Sequence, residues 1–260
     1  MINRELKEAV LTDLVLMKYV GINPIVVHGG GPEITAMLDK IGKKSSFFGG
    51  LRVTDEETME IVEMVLAGKL NKEIVALLNK LGTKAVGLSG KDAVLIEAKK
   101  KTGEFYRNGK LEKKDIGYVG EVKKINTGII NTLIENDYVP VISPIGIGED
   151  GHSYNINADT VAGKLAESLK ADKLIILTDV EGILKDKDDS SSLISVLKTS
   201  EVDELIEREV ISSGMIPKVK CCVLAVENGV KSTHVLDGRI KHSLLLEIFT
   251  EKGVGTMVVK

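Results

Sequence analysis

Apolar positions along this chain follow two alternating rhythms. Leu6, Val10, Leu14 and Met17 stand four, four and three residues apart, a helical stripe that stops before Gly21. A compact apolar run from Pro24 to His28 follows and predicts a strand. The alternation then continues. Glu56 to Leu81 predicts a helix broken near Gly68, and Ala85 to Leu88 and Ala93 to Ala98 predict strands around the turn Ser89-Gly90-Lys91-Asp92. Lys99 to Lys124 predicts hairpin excursions, because Asn108-Gly109 is a turn former between β-prone runs. Beyond it come a helix at Asn126 to Glu135, a strand at Tyr138 to Ser143, a helix at Asn157 to Leu169 and a strand at Lys173 to Thr178. After the polar run Lys185 to Ser192 the pattern gives helices at Val202 to Glu209 and Ile216 to Glu227, then strands at Thr233 to Leu236 and Thr256 to Val259. Short strands alternating with longer helices predict an α/β protein, a three-layer αβα sandwich with a mostly parallel central sheet. We see no repeat and no flexible linker, so the reading is two lobes sharing one sheet, residues 1–170 and 171–260.

Composition narrows the classes of function. With 260 residues and 43% hydrophobic side chains the chain can bury a large core. The net charge of −3 is spread over both signs without a long basic block, which argues against nucleic acid and membrane surface as partners. Cys221 and Cys222 are adjacent and cannot form the separated pairs of a zinc or redox site. The longest apolar runs, such as Leu174 to Leu177, fall far short of a membrane span, and Met1 to Glu8 is charged rather than signal-like, so a cytoplasmic location is expected.

Chemistry concentrates where strands meet helices. In Val26-Val27-His28-Gly29-Gly30-Gly31-Pro32-Glu33, three glycines join a strand to a helix, and Pro32 suits the first helical turn. Glycine lets backbone N–H groups approach an anion, and the helix start adds favourable partial charge. A tight turn is the plainer alternative, and His28 alone is given no chemistry. Gly146-Ile147-Gly148-Glu149-Asp150-Gly151 has the spacing of a dinucleotide fingerprint, but no helix pattern opens after it and two carboxylates would face the pyrophosphate. It reads as a turn. No GxxxxGK[ST] phosphate loop occurs. In Asn155-Ile156-Asn157-Ala158-Asp159, Asn157 is placed to cap a helix, whereas Asn155 and Asp159 are less easily explained by capping. Thr178-Asp179-Val180-Glu181-Gly182 follows a strand, at the end of a parallel sheet where such folds bind ligands. Lys218, in Gly214-Met215-Ile216-Pro217-Lys218-Val219, opposes the dipole at its helix start unless an anion lies near.

Taken together, HGGGPE, GLRVT (Gly50 to Thr54), NINAD, TDVEGI and GMIPKV, in this order, resemble the amino acid kinase family over nearly the whole chain. The resemblance implies transfer of the γ-phosphoryl group of ATP, with Mg2+ travelling on the nucleotide, to the side-chain carboxylate of N-acetyl-L-glutamate, a step of arginine biosynthesis. It assigns Gly30 and Gly31 to substrate and transferring phosphate, and Arg52 and Asn155 to the substrate. It assigns Asp179, Val180, Glu181, Gly182, Ile183, Leu184, Ile211 and Ser212 to the nucleotide, Lys218 to charge stabilisation, and Asp159 to orienting that lysine. Residues 1–170 would then bind substrate and dimerise, and residues 171–260 would bind ATP. A carboxylate acceptor is already ionised at neutral pH, so no general base is required. The stretch from Gly238-Arg239-Ile240-Lys241-His242-Ser243 through Gly253-Val254-Gly255-Thr256-Met257 resembles the C-terminal stretch of arginine-inhibited members, which implies arginine as an inhibitor, although a helix packing into a closing strand accounts for much of the same composition.

Members of the family open with a strand and a Lys-Gly-Gly turn ahead of the first helix, and here Met1 leads almost directly into that helix. The expectation is therefore either a truncated reading or a weakened kinase, since losing one such cation costs about 3 kcal/mol or more of transition-state stabilisation. Two alternatives stand beside the main one. A sibling kinase would act on another carboxylate, carbamate or a nucleotide monophosphate, and a non-catalytic sensor would bind N-acetylglutamate or arginine without turnover.

Overall fold

The computed structural model describes residues 4–107, 110–186, 189–211, 214–250 and 253–260. In chain order the elements are α1 (Arg4–Tyr19), β1 (Val26–Val27), α2 (Gly31–Lys40), β2 (Phe47–Phe48), β3 (Leu51–Arg52), α3 (Glu56–Glu63), α4 (Asn71–Lys80), β4 (Ala85–Ser89), β5 (Ile96–Arg107), β6 (Lys110–Ile125) and α5 (Gly128–Glu135). There follow β7 (Val139–Ser143), β8 (Ile145–Gly148), β9 (Ser153–Asn155), α6 (Ala158–Leu169), β10 (Lys173–Thr178), β11 (Val196–Lys198), α7 (Val202–Glu207), α8 (Ile216–Glu227), β12 (Ser232–Asp237), α9 (Ser243–Phe249) and β13 (Thr256–Val259). Among the described residues no helix is long and apolar enough to cross a membrane.

The chain divides into two compact units, Asn23–Val161 and the discontinuous pair Met1–Ile22 with Ala162–Lys260. In the first, β1, β7 and β4 form a parallel sheet in that order, with Val26 opposite Val141 and Ala85 opposite Val139. Strands β5, β6, β9 and β8 close into a small barrel beside it. Its core gathers Ile34 and Leu38 of α2, Met59 and Val62 of α3, and Val65, Leu66 and Leu70 from the π-helical segment Met64–Leu70. The break expected near Gly68 is this widened turn: the helical path continues but gains girth where glycine weakens the α-helix. Asp55 caps α3 by accepting the Thr58 N–H at 2.9 Å, and Lys43 holds its carboxyl down at about 2.

In the second unit β10, β12, β13 and β11 form one sheet, parallel except for the β12–β13 pair. The stripe on α1 explains why the first helix belongs here. Val10, Leu14 and Met17 pack against Ile175, Leu177, Leu236 and Leu244. The opposite face of that sheet is covered by α8 through Val219, Cys222 and Ala225.

Three details bear on the linear reading. Among the described residues the strands pair as β1-β7-β4 in one unit and β10-β12-β13-β11 in the other, and Val26-Val27 bonds only to β7. The strand expected from Ala93 begins at Ile96, because Asp92–Val94 is a 3-10 turn with Ala93 and Val94 at φ 49° and 51°. The Gly146–Gly151 run is strand β8 followed by a turn, with no helix behind it, which disposes of the dinucleotide fingerprint. Asn108-Gly109 lies outside the described residues, and β5 and β6 pair antiparallel as the hairpin reading requires.

Candidate functional site

Four of the predicted substrate residues line one cleft of about 220 Å³ in the Asn23–Val161 unit: Gly30, Gly31, Arg52 and Asn155. Apolar walls come from Ile34, Phe47, Leu66 and Val119. A Cβ on Gly30 would stand 2.4 Å from Leu70 Cδ1 and 2.6 Å from Leu66 Cδ2, so a larger residue requires these two buried methyl groups to move. Gly31 is different. A Cβ there would meet nothing within 4 Å, so the fold does not demand glycine at a position that faces the cleft. Open space beside the first turn of α2 suits a ligand that approaches the backbone, and the first-turn N–H groups have no intrahelical acceptor.

Arg52 is the electrostatic centre of the cleft. Only 8% of its surface is exposed, and its fork bonds to Ser45 Oγ at 2.5 Å, Gly31 O at 2.9 Å and Thr35 Oγ1 at 2.9 Å. As cross-strand partners in the β2–β3 pair, Phe47 and Arg52 stack, the guanidinium carbon lying 4.8 Å from the ring centre. Among the described residues no carboxylate pairs with it, and burial lowers its pKa. A buried cation facing only neutral oxygens is costly unless an anion joins it. Asn155, the last residue of β9, donates from Nδ2 to Thr54 Oγ1 at 3.4 Å, and Thr54 in turn donates to Arg52 O at 2.8 Å.

Asn157 caps α6 as expected, its Oδ1 accepting the Thr160 N–H at 3.0 Å, and it also lines the cleft. Asp159 is half-buried in the first turn of the same helix.

The predicted nucleotide residues lie in the other unit. β10 and β12 end side by side, Thr178 opposite Asp237, so Asp179 and Glu181 emerge at the carboxyl ends of parallel strands. Buried Asp237 chelates Arg239 through Nε at 2.9 Å and Nη2 at 2.8 Å. Burial pushes its carboxyl up, but the bonds from Arg239 prevail and hold it below the usual range. Asp237, and then the fields of Asp179 and Glu181, raise the pKa of Arg239. Val180 is exposed and Gly182 adopts φ 142°. Leu184 bridges to Leu193. The side chains of Ile183 and Ile211 are core residues packed with Leu197, Val202 and Val219, which leaves only their backbone to a ligand. Ser212 lies outside the described residues. Lys218 is half-buried in the first turn of α8, after Pro217.

Some residues of these sites escaped the linear reading. Thr35 and Ser45 carry no motif of their own, and only the folded β2–β3 pair brings them to Arg52. Asn71 had one signal, a polar residue just beyond the expected helix break at Gly68. Among the described residues no group of three His, Cys, Asp or Glu side chains is placed to hold a metal ion.

A strand ending in glycines at a helix start, and a second set of loops at the ends of parallel strands, are two places where an anionic ligand can meet backbone N–H groups. The amino acid kinase family profile matches residues 3–237, and the chain belongs to that family. Its relatives include the acetylglutamate kinase of Heliobacterium modesticaldum, 63% identical over all of this chain and 88% of that protein, and the acetylglutamate kinase of Moorella thermoacetica, 61% identical with the same coverage. Among solved structures, N-acetylglutamate synthase from Neisseria gonorrhoeae, complexed with coenzyme A and N-acetyl-glutamate, aligns with a TM-score of 0.84 at 25% identity over 99% of this chain. This chain spans 57% of that synthase's length. Carbamate kinase from Giardia lamblia shares the fold, with a TM-score of 0.67 at 16% identity over 97% of this chain and 90% of that one.

Proposed function

We propose that this protein transfers the γ-phosphoryl group of ATP to the γ-carboxylate of N-acetyl-L-glutamate, forming an acyl phosphate in arginine biosynthesis. The observation that carries the reading is Arg52, a buried guanidinium without a carboxylate partner among the described residues, set beside the glycine turn in a cleft of small-molecule size. Full-length relatives that bear the name acetylglutamate kinase support the choice of acceptor. In this scheme Arg52 takes the α-carboxylate as a charge-assisted fork and Asn155 bonds the same substrate. A γ-carboxylate oxygen attacks the γ-phosphorus while the bond to the β-phosphate oxygen breaks, and ADP leaves with the electron pair. No proton needs to move. Catalysis then reduces to alignment and charge neutralisation, from the Gly30 and Gly31 amides and from Lys218, with Asp159 in an orienting role.

The nucleotide is assigned to Asp179–Leu184 with Ile211 and Ser212. Magnesium, when bound with ATP, would neutralise phosphate charge, and no side chain here is assigned to it. Homodimer or higher assembly, a cytoplasmic location and inhibition by arginine belong to the same reading, the last supported by the C-terminal stretch that forms α9 and β13. An ADP-release assay with N-acetyl-L-glutamate, glutamate, aspartate and carbamate tests the proposal. Turnover with N-acetyl-L-glutamate alone is expected. Preference for another acceptor would make it a sibling kinase, and binding of N-acetyl-L-glutamate without turnover would make it a sensor.

A further inference from the structure

His28 begins the glycine turn, and the kinase reading leaves it without a task. Its surroundings supply one. Asn71, 1% exposed at the first position of α4, donates from Nδ2 to Val141 O at 2.9 Å and lies 3.4 Å from Leu88 O, carbonyls of the neighbouring parallel strands β7 and β4. An amide oxygen could not occupy a position between two carbonyls, so this end of Asn71 is the NH2 group, which only donates. Its third neighbour is His28 Nε2 at 3.3 Å. Val141 O takes one of the two amide hydrogens and Leu88 O already accepts from Ser143 Oγ at 3.3 Å, so the second is assigned to Nε2; the Gly29 carbonyl can only accept, which independently puts a proton on Nδ1. Nδ1 lies 3.0 Å from Gly29 O and donates to it.

This bond has a consequence one peptide further on. Across a planar trans peptide the carbonyl and the following N–H point in opposite directions. Drawing the Gly29 carbonyl toward the buried imidazole therefore turns the Gly30 N–H away from it. A run of three glycines has little conformational preference of its own, so the peptide needs an external clamp. Gly29, Gly30 and Gly31 all line the cleft.

We propose that His28, fixed by Asn71 as its neutral Nδ1–H tautomer, is a positioning residue that aims the Gly30 amide at the anionic group bound in the cleft. What that anion is rests on the kinase reading above. The clamp itself does not.

Two measurements test this. In uniformly 15N-labelled wild-type protein, long-range proton–nitrogen correlation at neutral pH should show His28 protonated on Nδ1 and bare on Nε2; only four histidines need assignment. The opposite tautomer or an imidazolium would overturn the proposal. In kinetics, His28→Asn places an NH2 near the Nδ1 position, His28→Gln places one near Nε2, and His28→Leu offers neither. His28→Asn should keep kcat within roughly fivefold, whereas His28→Gln and His28→Leu should lose roughly 10- to 100-fold in kcat, as expected for a misaimed transition-state donor, with KM for both substrates nearly unchanged. Equal behaviour of all three, or a loss confined to KM, would also overturn it. If none of the variants gives a cooperative melt, the tautomer decides alone. Absence of wild-type turnover would count against the kinase reading and leave the tautomer result standing.

Discussion

On the proposed assignment of Arg52 to the substrate, replacing it with methionine should separate binding from stability. Among the described residues its partners are two hydroxyls, one backbone carbonyl and an aromatic face, all neutral. Methionine keeps the apolar stem and fills similar volume. Removing a buried cation that lacks a counter-charge relieves its desolvation cost, so the free protein should melt within about 2–4 °C of wild type or higher, the shift expected for 1 kcal/mol in a chain of this size. The substrate should suffer far more. A carboxylate held by two charge-assisted bonds at about 1.5 kcal/mol each loses about 3 kcal/mol, which is roughly a hundredfold in affinity. Initial rates against N-acetyl-L-glutamate at saturating ATP, together with thermal melts, measure both sides. The expected pattern is a KM raised about a hundredfold with kcat little changed. An unchanged KM, or a melting temperature lower by roughly 10 °C, would refute the reasoning, the latter by showing that the guanidinium holds the fold together.

Gly30→Ala forces a Cβ onto Leu66 and Leu70 and should destabilise by about 1–3 kcal/mol, whereas Gly31→Ala should melt like wild type and lose substrate affinity; equal melts for the two would contradict the packing argument. Val94→Gly should stabilise by about 1 kcal/mol, since a β-branched residue is held at φ 51° on an exposed turn, and a lower melting temperature would count against strain there. His234 is 2% exposed, and burial lowers its pKa from 6.5 although Glu247, 2.7 Å from Nδ1, works in the opposite direction. Its stabilisation is therefore present above pH 6.5 and lost as pH falls through the lowered value, because the unfolded chain then takes up the proton more readily. His234→Asn should flatten the fall of melting temperature over that acidic window, and parallel curves would show that other groups set it.

Much of this was legible in the order of residues, and the reasons are local. β10, α8 and β13 begin and end where their periodicity and turn signals place them, because each is defined by its own sequence. The glycine turn was legible as chemistry, Arg52 and Asn155 were assigned to the substrate from the resemblance, and folding brought all of them to one cleft. What was not legible depends on partners distant in the chain. Nothing in α1 announces that its stripe docks onto β10 and β12, more than 150 residues later. Ala93-Val94 reads as strand by composition, yet Ser89 and Asp92 close a tight turn first, the Ser89 N–H and Oγ both donating to Asp92 Oδ2. Ile183 and Ile211 were assigned to the nucleotide from the resemblance, and only burial shows that their side chains belong to the core.

The central claim concerns the acceptor, and trapping the product with hydroxylamine tests it most directly. Incubated with ATP, magnesium, N-acetyl-L-glutamate and hydroxylamine, the enzyme should form the γ-hydroxamate of N-acetyl-L-glutamate in step with ADP, and Arg52→Met should need about a hundredfold more substrate to do so. ADP without hydroxamate, or hydroxamate from glutamate or aspartate at equal efficiency, would contradict the account.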